Sequence, residues 1–171
     1  SNTIKTPRFG MSDQLEYPPG KVLYKSSGYL SDLRISPDGN QVAFMEHPLK
    51  WDDRGYVKVV DQSGAIRVLA GEYSGLEGLA WMADRKRVLF SATKAGNEYQ
   101  PYVVPVSGSG PARQALQSIG SIYTQDISSQ GSWIVTLHDR RFLIRYRLPG
   151  EKSERQFSWL DSSSWPYFSS K

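Results

Sequence analysis

The chain has 171 residues, a formal net charge of +4, 39% hydrophobic and 22% charged residues, and no cysteine. That balance describes a folded globular chain, and the missing thiols exclude disulfides, thiol catalysis and thiolate-bound zinc. Basic residues fall in short groups (Arg85-Lys86-Arg87, Arg140-Arg141) without a reader motif, and no apolar run approaches a membrane span. Nucleic acid is therefore not an expected partner and the chain is not expected to be membrane-embedded.

In chain order, the first twenty residues read as an irregular segment ending in the breaker Pro18-Pro19-Gly20. The initial Ser1-Asn2 reads as a cloning remnant, so the natural protein is expected to extend at both ends. Lys21 to Ser27 has the alternation of an outer strand. Leu33 to Phe44, "LRISPDGNQVAF", is strand, tight turn, strand: proline presets the turn, aspartate bonds the backbone two residues on, and glycine takes a positive φ without steric cost. Tyr56 to Asp61 and Ala65 to Ala70 follow as two more strands around Gln62-Ser63-Gly64. The sequence then repeats itself, with "LAWMADRKRVLF" from Leu79, "YQPYVVPV" from Tyr99 and "ARQALQ" from Ala112. A third round has "QDISSQGSWIVT" from Gln125, "FLIRYRL" from Phe142 and "ERQFSW" from Glu154.

The three opening hairpins begin at Leu33, Leu79 and Gln125, 46 residues apart each time. Four short antiparallel strands at this period is the signature of a propeller blade. The predicted fold is all-β, a β-propeller region over residues 21–171, with blades at about 30–70, 71–117 and 118–159 and a further one beginning at 160–171, where Phe168 takes the slot of Ile35. Three full units are few for a closed ring, so the chain is expected to be part of a larger propeller, and a second copy of it is an expected partner that would complete the ring.

The stretch "ISPDGNQVAF" resembles the PD-type propeller repeat of TolB-like proteins. "GYLSDLRISPDGNQVAFMEHP", "DDRGYVKVVDQSG", "LAGEYSGLEGLAW", "LFSATKAG" and "ERQFSWLD" further resemble the C-terminal propeller of bacterial receptor-type serine/threonine protein kinases of the acidobacterial kind. The resemblance covers roughly Lys21 to Phe168 and departs from the Ser-Pro-Asp-Gly turn at Met82-Ala83-Asp84-Arg85 and Ser128-Ser129-Gln130-Gly131. It implies a non-catalytic sensory or interaction module of a larger signalling protein, an extracytoplasmic location, and a protein, peptide or cell-envelope ligand. Two alternatives stay open: a TolB-like periplasmic scaffold, and the gating propeller of a peptidase whose catalytic domain lies elsewhere.

No Gly-x-Ser-x-Gly elbow, kinase signature or phosphate-binding Gly-x-x-x-x-Gly-Lys is present, so no catalytic residue is assigned and no cofactor is expected. His47 and His138 lie in different units and read as loop hydrogen-bonders rather than metal ligands. The strongest binding candidates are Trp51, Asp52, Asp53 and Arg54, in a long connection between strands, where paired carboxylates beside Arg and Trp suit a cationic or sugar-like ligand. The plainer reading of the same stretch is a turn with Asp caps and an Asp53–Arg54 surface pair. Tyr73 and Tyr123 precede inner strands and are expected to reach the axial opening, whereas Trp81, in the inward hairpin slot, is expected in the core.

Overall fold

The computed structural model describes residues 13–139 and 143–157, and among them there is no helix. Fourteen strands follow one another: β1 (Asp13–Glu16), β2 (Val22–Ser26), β3 (Tyr29–Ile35), β4 (Gln41–His47), β5 (Gly55–Asp61), β6 (Ile66–Tyr73), β7 (Gly75–Trp81), β8 (Arg87–Thr93), β9 (Gln100–Pro105), β10 (Arg113–Gln114), β11 (Ser121–Ile127), β12 (Trp133–His138), β13 (Ile144–Tyr146) and β14 (Arg155–Phe157). β3-β4-β5-β6 and β7-β8-β9-β10 are four-stranded antiparallel meanders, here the first and second blade. β1-β2, β11-β12 and β13-β14 are two-stranded. Two compact units result, divided between Leu137 and His138. Of the second, β13 pairs with β14 in the register Ile144–Phe157, Arg145–Gln156 and Tyr146–Arg155.

The repeat is visible in the backbone. In each opening hairpin the turn closes with the same pair of bonds: Ser36 N–H to Gln41 and Gly39 N–H to Ser36, Met82 N–H to Arg87 and Arg85 N–H to Met82, Ser128 N–H to Ser132 and Gly131 N–H to Ser128. The third turn is one residue shorter. Gly39, Arg85 and Gly131 all have positive φ (75°, 59° and 89°), so the second blade holds an arginine where the turn asks for glycine. Asp84 supports it by accepting from the backbone N–H of Lys86 and Arg87 and from Arg87 Nε.

The sheets stack because alternate residues of the central strands face opposite neighbours. Val42 and Phe44 of β4 pack with Leu15, Leu23, Leu30 and Val60 against the β1-β2 hairpin. Ala43 and Met45 of the same strand pack with Val57, Leu69 and Tyr73 against Leu79, Trp81, Val88, Phe90 and Tyr102 of the second blade. Phe44 and Phe90 have no exposed surface, and burial of such a side chain is worth roughly 1.5–3 kcal/mol. Trp81 Nε1 donates to the Arg34 carbonyl at 2.9 Å, bonding the two blades across this seam.

β11 joins the second blade through a polar seam: Thr124 N–H donates to Ser91 Oγ at 2.8 Å, and the two hydroxyls lie 3.0 Å apart. Gly78, at a bulge in β7 with φ +75°, lets the backbones meet; a Cβ there would lie 2.1 Å from the Thr124 carbonyl oxygen. One repeat earlier Asp32 holds the same bulge position, with φ 52°.

Where the sequence suggests an irregular first twenty residues, Asp13–Glu16 form a strand, because Leu15 is wholly buried and the Asp13 carboxylate accepts from the Leu30 backbone N–H. The hairpin is tied to the first blade by Glu46, which takes a hydrogen bond from Tyr24 Oη at 2.7 Å and an ion pair from Lys58. Residues 160–171, where the fourth repeat is expected, lie outside the described residues.

Candidate functional site

The β4–β5 loop, residues 48–54, projects from the end of the sheets at which β3 and β7 begin. It is fastened at its root and exposed at its tip. Tyr29 Oη donates to the Asp52 carbonyl at 3.1 Å, and Leu76 N–H donates to the Asp53 carbonyl at 3.0 Å, so the loop bridges both blades. At the tip Trp51 is 95% exposed with φ 66°, and Leu49 is 58% exposed. A bulky side chain in the left-handed region is strained, and folding does not recover that cost by burying it.

The charges are arranged differently from the sequence reading. Arg54 pairs with Asp52, not Asp53: its backbone N–H and its Nε both donate to Asp52 Oδ1, at 2.9 and 3.0 Å. An aspartate two residues before an amide closes a tight local turn, and the guanidinium follows its own N–H to the same carboxylate. Arg54 is the chief cause of the Asp52 carboxyl being lowered to about 2. The Asp53 carboxylate is left exposed beside Tyr29 and Tyr99. Burial raises both phenols, Tyr99 to about 12, and Asp53 adds to the effect on each; Glu77 also acts on Tyr99, and Asp32 on Tyr29.

Tyr123 joins this end of the molecule, half-buried with its ring 5.1 Å from that of Tyr99. Tyr73 does not. It ends β6 instead of standing free before β7, and is 6% exposed, its ring packed against Phe90 and Tyr102 in the seam between blades. Tyr73 is thus a core residue, because the strand runs to the blade boundary and its alternation points inward.

His47 is the residue the sequence placed least well. It closes β4, is buried, stacks on Tyr29 with ring centroids 4.2 Å apart, and lies 2.9 Å through Nε2 from Ser31 Oγ. Burial lowers its pKa, against the opposing pull of the Arg54 and Asp53 carbonyls and the Asp53 and Asp32 charges. Its place at the hydrophobic end of a strand, before Pro48, is the signal that marks it as internal.

A cavity of about 570 Å³ lies between Met82, Val103, Pro105, Arg113, Ala115 and Trp133. Val103 and Pro105 stand one repeat after Val57 and Val59, which are core residues of the first seam, so this cleft is the second blade's packing face rather than a ligand pocket. Among the described residues no group of three or more His, Asp or Glu is placed to hold a metal ion, and no helix is long and apolar enough to cross a membrane.

The fold so described is a stretch of β-propeller. No family model matches the chain, and no curated protein does either. Solved structures do. TolB from Acinetobacter baumannii superposes with a TM-score of 0.58 at 20% identity, over 86% of this chain and 37% of that one. A TolB candidate from Agrobacterium tumefaciens gives 0.56 at 18% identity, over 83% of this chain and 52% of that one. A prolyl endopeptidase gives 0.53 at 16% identity, over 91% of this chain and 29% of that one. At these identities the likeness establishes the fold, all-β with four-stranded propeller blades of the TolB-like kind, and the chain spans between about a third and a half of the two TolB structures.

Proposed function

We propose that this chain is a non-catalytic interaction module within a larger bacterial protein, engaging a protein, peptide or cell-envelope ligand through the end that carries the β4–β5 loop. The observation that carries this reading is Trp51: an almost fully exposed indole in a strained backbone conformation, on a loop whose root is bonded to two blades. Rigid, exposed aromatic anchors are the side chains that dominate binding energy at protein interfaces. The TolB-like architecture supports a scaffold role, and the sequence resemblance adds a serine/threonine kinase as the parent and an extracytoplasmic location. A second reading, a gating propeller of a peptidase, draws on the likeness to a prolyl endopeptidase.

A photo-crosslinking residue at position 50, beside the intact Trp51, in the full-length protein, compared with one at Ser63 in the β5–β6 turn at the opposite end of the blade, tests the reading. Discrete adducts from position 50 alone are expected. Equal patterns from both positions would overturn it. The domain encoded next to this region, kinase or hydrolase, separates the two parents.

A further inference from the structure

We propose that His47 is an acid-sensitive latch for the β4–β5 loop: with its imidazole neutral the loop root stays closed and Trp51 is held in place, and a proton on the ring opens the root and lets the indole go. That Trp51 is the group worth holding rests on the interaction-module reading; the latch itself is a property of the fold and stands or falls separately.

The ring lies beneath the loop root. It is 1% exposed and stacked on Tyr29 of β3, whose hydroxyl holds the Asp52 carbonyl. Gly55, where the loop enters β5, also lies against it: a Cβ there would come within 3.3 Å of Nδ1. Nε2 has Ser31 Oγ at 2.9 Å, whereas Nδ1 is buried and makes no hydrogen bond. A neutral imidazole tolerates one unmatched nitrogen at modest cost, but an imidazolium brings a full charge and two N–H donors. From β3 the ring meets Tyr29, Ser31 and the charge of Asp32; from the loop it meets the carbonyls of Asp53 and Arg54 and the charges of Asp53 and Asp52. The Arg54 guanidinium is turned to Asp52, and Glu46, the preceding residue of β4, to Lys58 and Tyr24. The carboxylates favour the proton, but burial outweighs them. The closed root therefore binds the proton more weakly than an opened one does, and by linkage the proton favours opening.

What opens is decided by how each neighbour is held. β3, β4 and β5 are laddered in one four-stranded sheet. The loop root is tied across by two bonds, Tyr29 Oη to the Asp52 carbonyl and Leu76 N–H to the Asp53 carbonyl. Lifting those two bonds brings water to the ring at the least cost. Trp51 adds to the bias, because its φ of 66° relaxes once the root is free and its exposed indole loses no packing.

NMR and amide exchange on the folded chain test the latch. The His47 ring is titrated between pH 7 and 5 alongside the Leu76 amide, whose proton is the one bonded to the Asp53 carbonyl. Protection of Leu76, corrected for intrinsic exchange, is expected to fall about tenfold over that range. Amides 52–55 and the Trp51 indole N–H are expected to shift at the His47 midpoint. Ile122, whose N–H is bonded to the Tyr99 carbonyl, and the amides of β8 are expected to stay protected. Tyr29→Phe keeps the stacked ring and removes the tie to Asp52, so it should raise the His47 midpoint towards 6.5 and speed Leu76 exchange already at pH 7. His47→Gln should abolish the transition. A His47 titration that leaves Leu76 protected, a loss of protection that survives in His47→Gln, or a simultaneous loss throughout β8 would each overturn the latch. Should His47→Gln not fold, an unmoved midpoint in Tyr29→Phe overturns it equally. A shared transition without crosslinks from position 50 would sustain the latch and remove the interaction-module reading alone.

Discussion

Arg85 stands 46 residues after Gly39 and takes the same left-handed turn conformation, with φ 59° against 75°. The Arg85 turn keeps the hydrogen bonds of its counterpart but carries a Cβ where the backbone disfavours one. Arg85→Gly is expected to stabilise the chain by roughly 0.5–1 kcal/mol, part of the strain relief being offset by the greater freedom of glycine when unfolded. A higher urea midpoint at unchanged m-value is the readout; a lower midpoint contradicts the strain argument.

Gly78 makes the opposite case. Alanine there would both occupy a positive φ and drive a methyl into the Thr124 carbonyl. Gly78→Ala is expected to cost roughly 2–3 kcal/mol and to lower amide-exchange protection first in β11, whose approach to β7 it blocks. Uniform loss across all strands would mean that the seam is not where the damage falls.

The Glu46–Lys58 pair is nearly buried, with side chains 11% and 14% exposed, and links the β1-β2 hairpin to the first blade. Burial alone raises the Glu46 carboxyl, but bonds from Lys58, Ser26 and Tyr24 outweigh it and hold the group below its ordinary value. Lys58→Met leaves that carboxylate without its cation and is expected to cost about 2 kcal/mol. Adding Glu46→Gln should recover part of the loss. A double variant worse than the single one by the full second cost would show that the two residues do not act together.

His47 supplies a pH dependence. Its folded pKa lies below its ordinary 6.5, chiefly through burial, so the unfolded chain binds more protons as pH falls. Its contribution is complete above about pH 6.5 and is lost as pH drops through the folded value, at no more than about 1.4 kcal/mol per pH unit. Around it stand Tyr29, Ser31, Asp32 and Asp53, and the lowered carboxyls of Glu46, Asp38, Asp61 and Asp84 take up protons only at lower pH. Between pH 7 and 5 the unfolding midpoint of His47→Gln should therefore fall less than that of the parent chain. Equal slopes would assign the effect elsewhere.

The blades were legible because their information is periodic. Ile35, Trp81 and Ile127 recur at one spacing, and a turn aspartate with a positive-φ residue after it is chemistry that one sequence can display. Trp81 proved to be core on the strength of that slot alone. The site was less legible because its contacts cross between repeats. Which aspartate Arg54 would choose, and that Asp53 would bond Leu76 in the next blade, depend on the path of a seven-residue loop that has no counterpart pattern. Tyr73 misled for a related reason: distance along the chain from an inner strand does not say which side of a blade boundary a ring falls on. The strand at Asp13–Glu16 was hidden because Leu15 is its one apolar residue and its other buried residue, Asp13, is polar.

Because Ala43 and Met45 face one neighbour and Val42 and Phe44 the other, no sheet in this stretch owns its interior. A chain cut at Ser74, the natural-looking joint between the two meanders, would strip Met45, Val57 and Tyr73 on one fragment and Trp81, Phe90 and Tyr102 on the other. Neither half would carry a closed interior of its own. Anyone dissecting the protein for expression, or joining it to a reporter, should place the boundary in a loop that leaves this seam whole, such as the β5–β6 turn at Gln62-Ser63-Gly64 for an insertion. The first blade is completed by both of its neighbours, the β1-β2 hairpin over Val42 and Phe44 and the second blade over Ala43 and Met45, although the sequence repeats one sheet at a time.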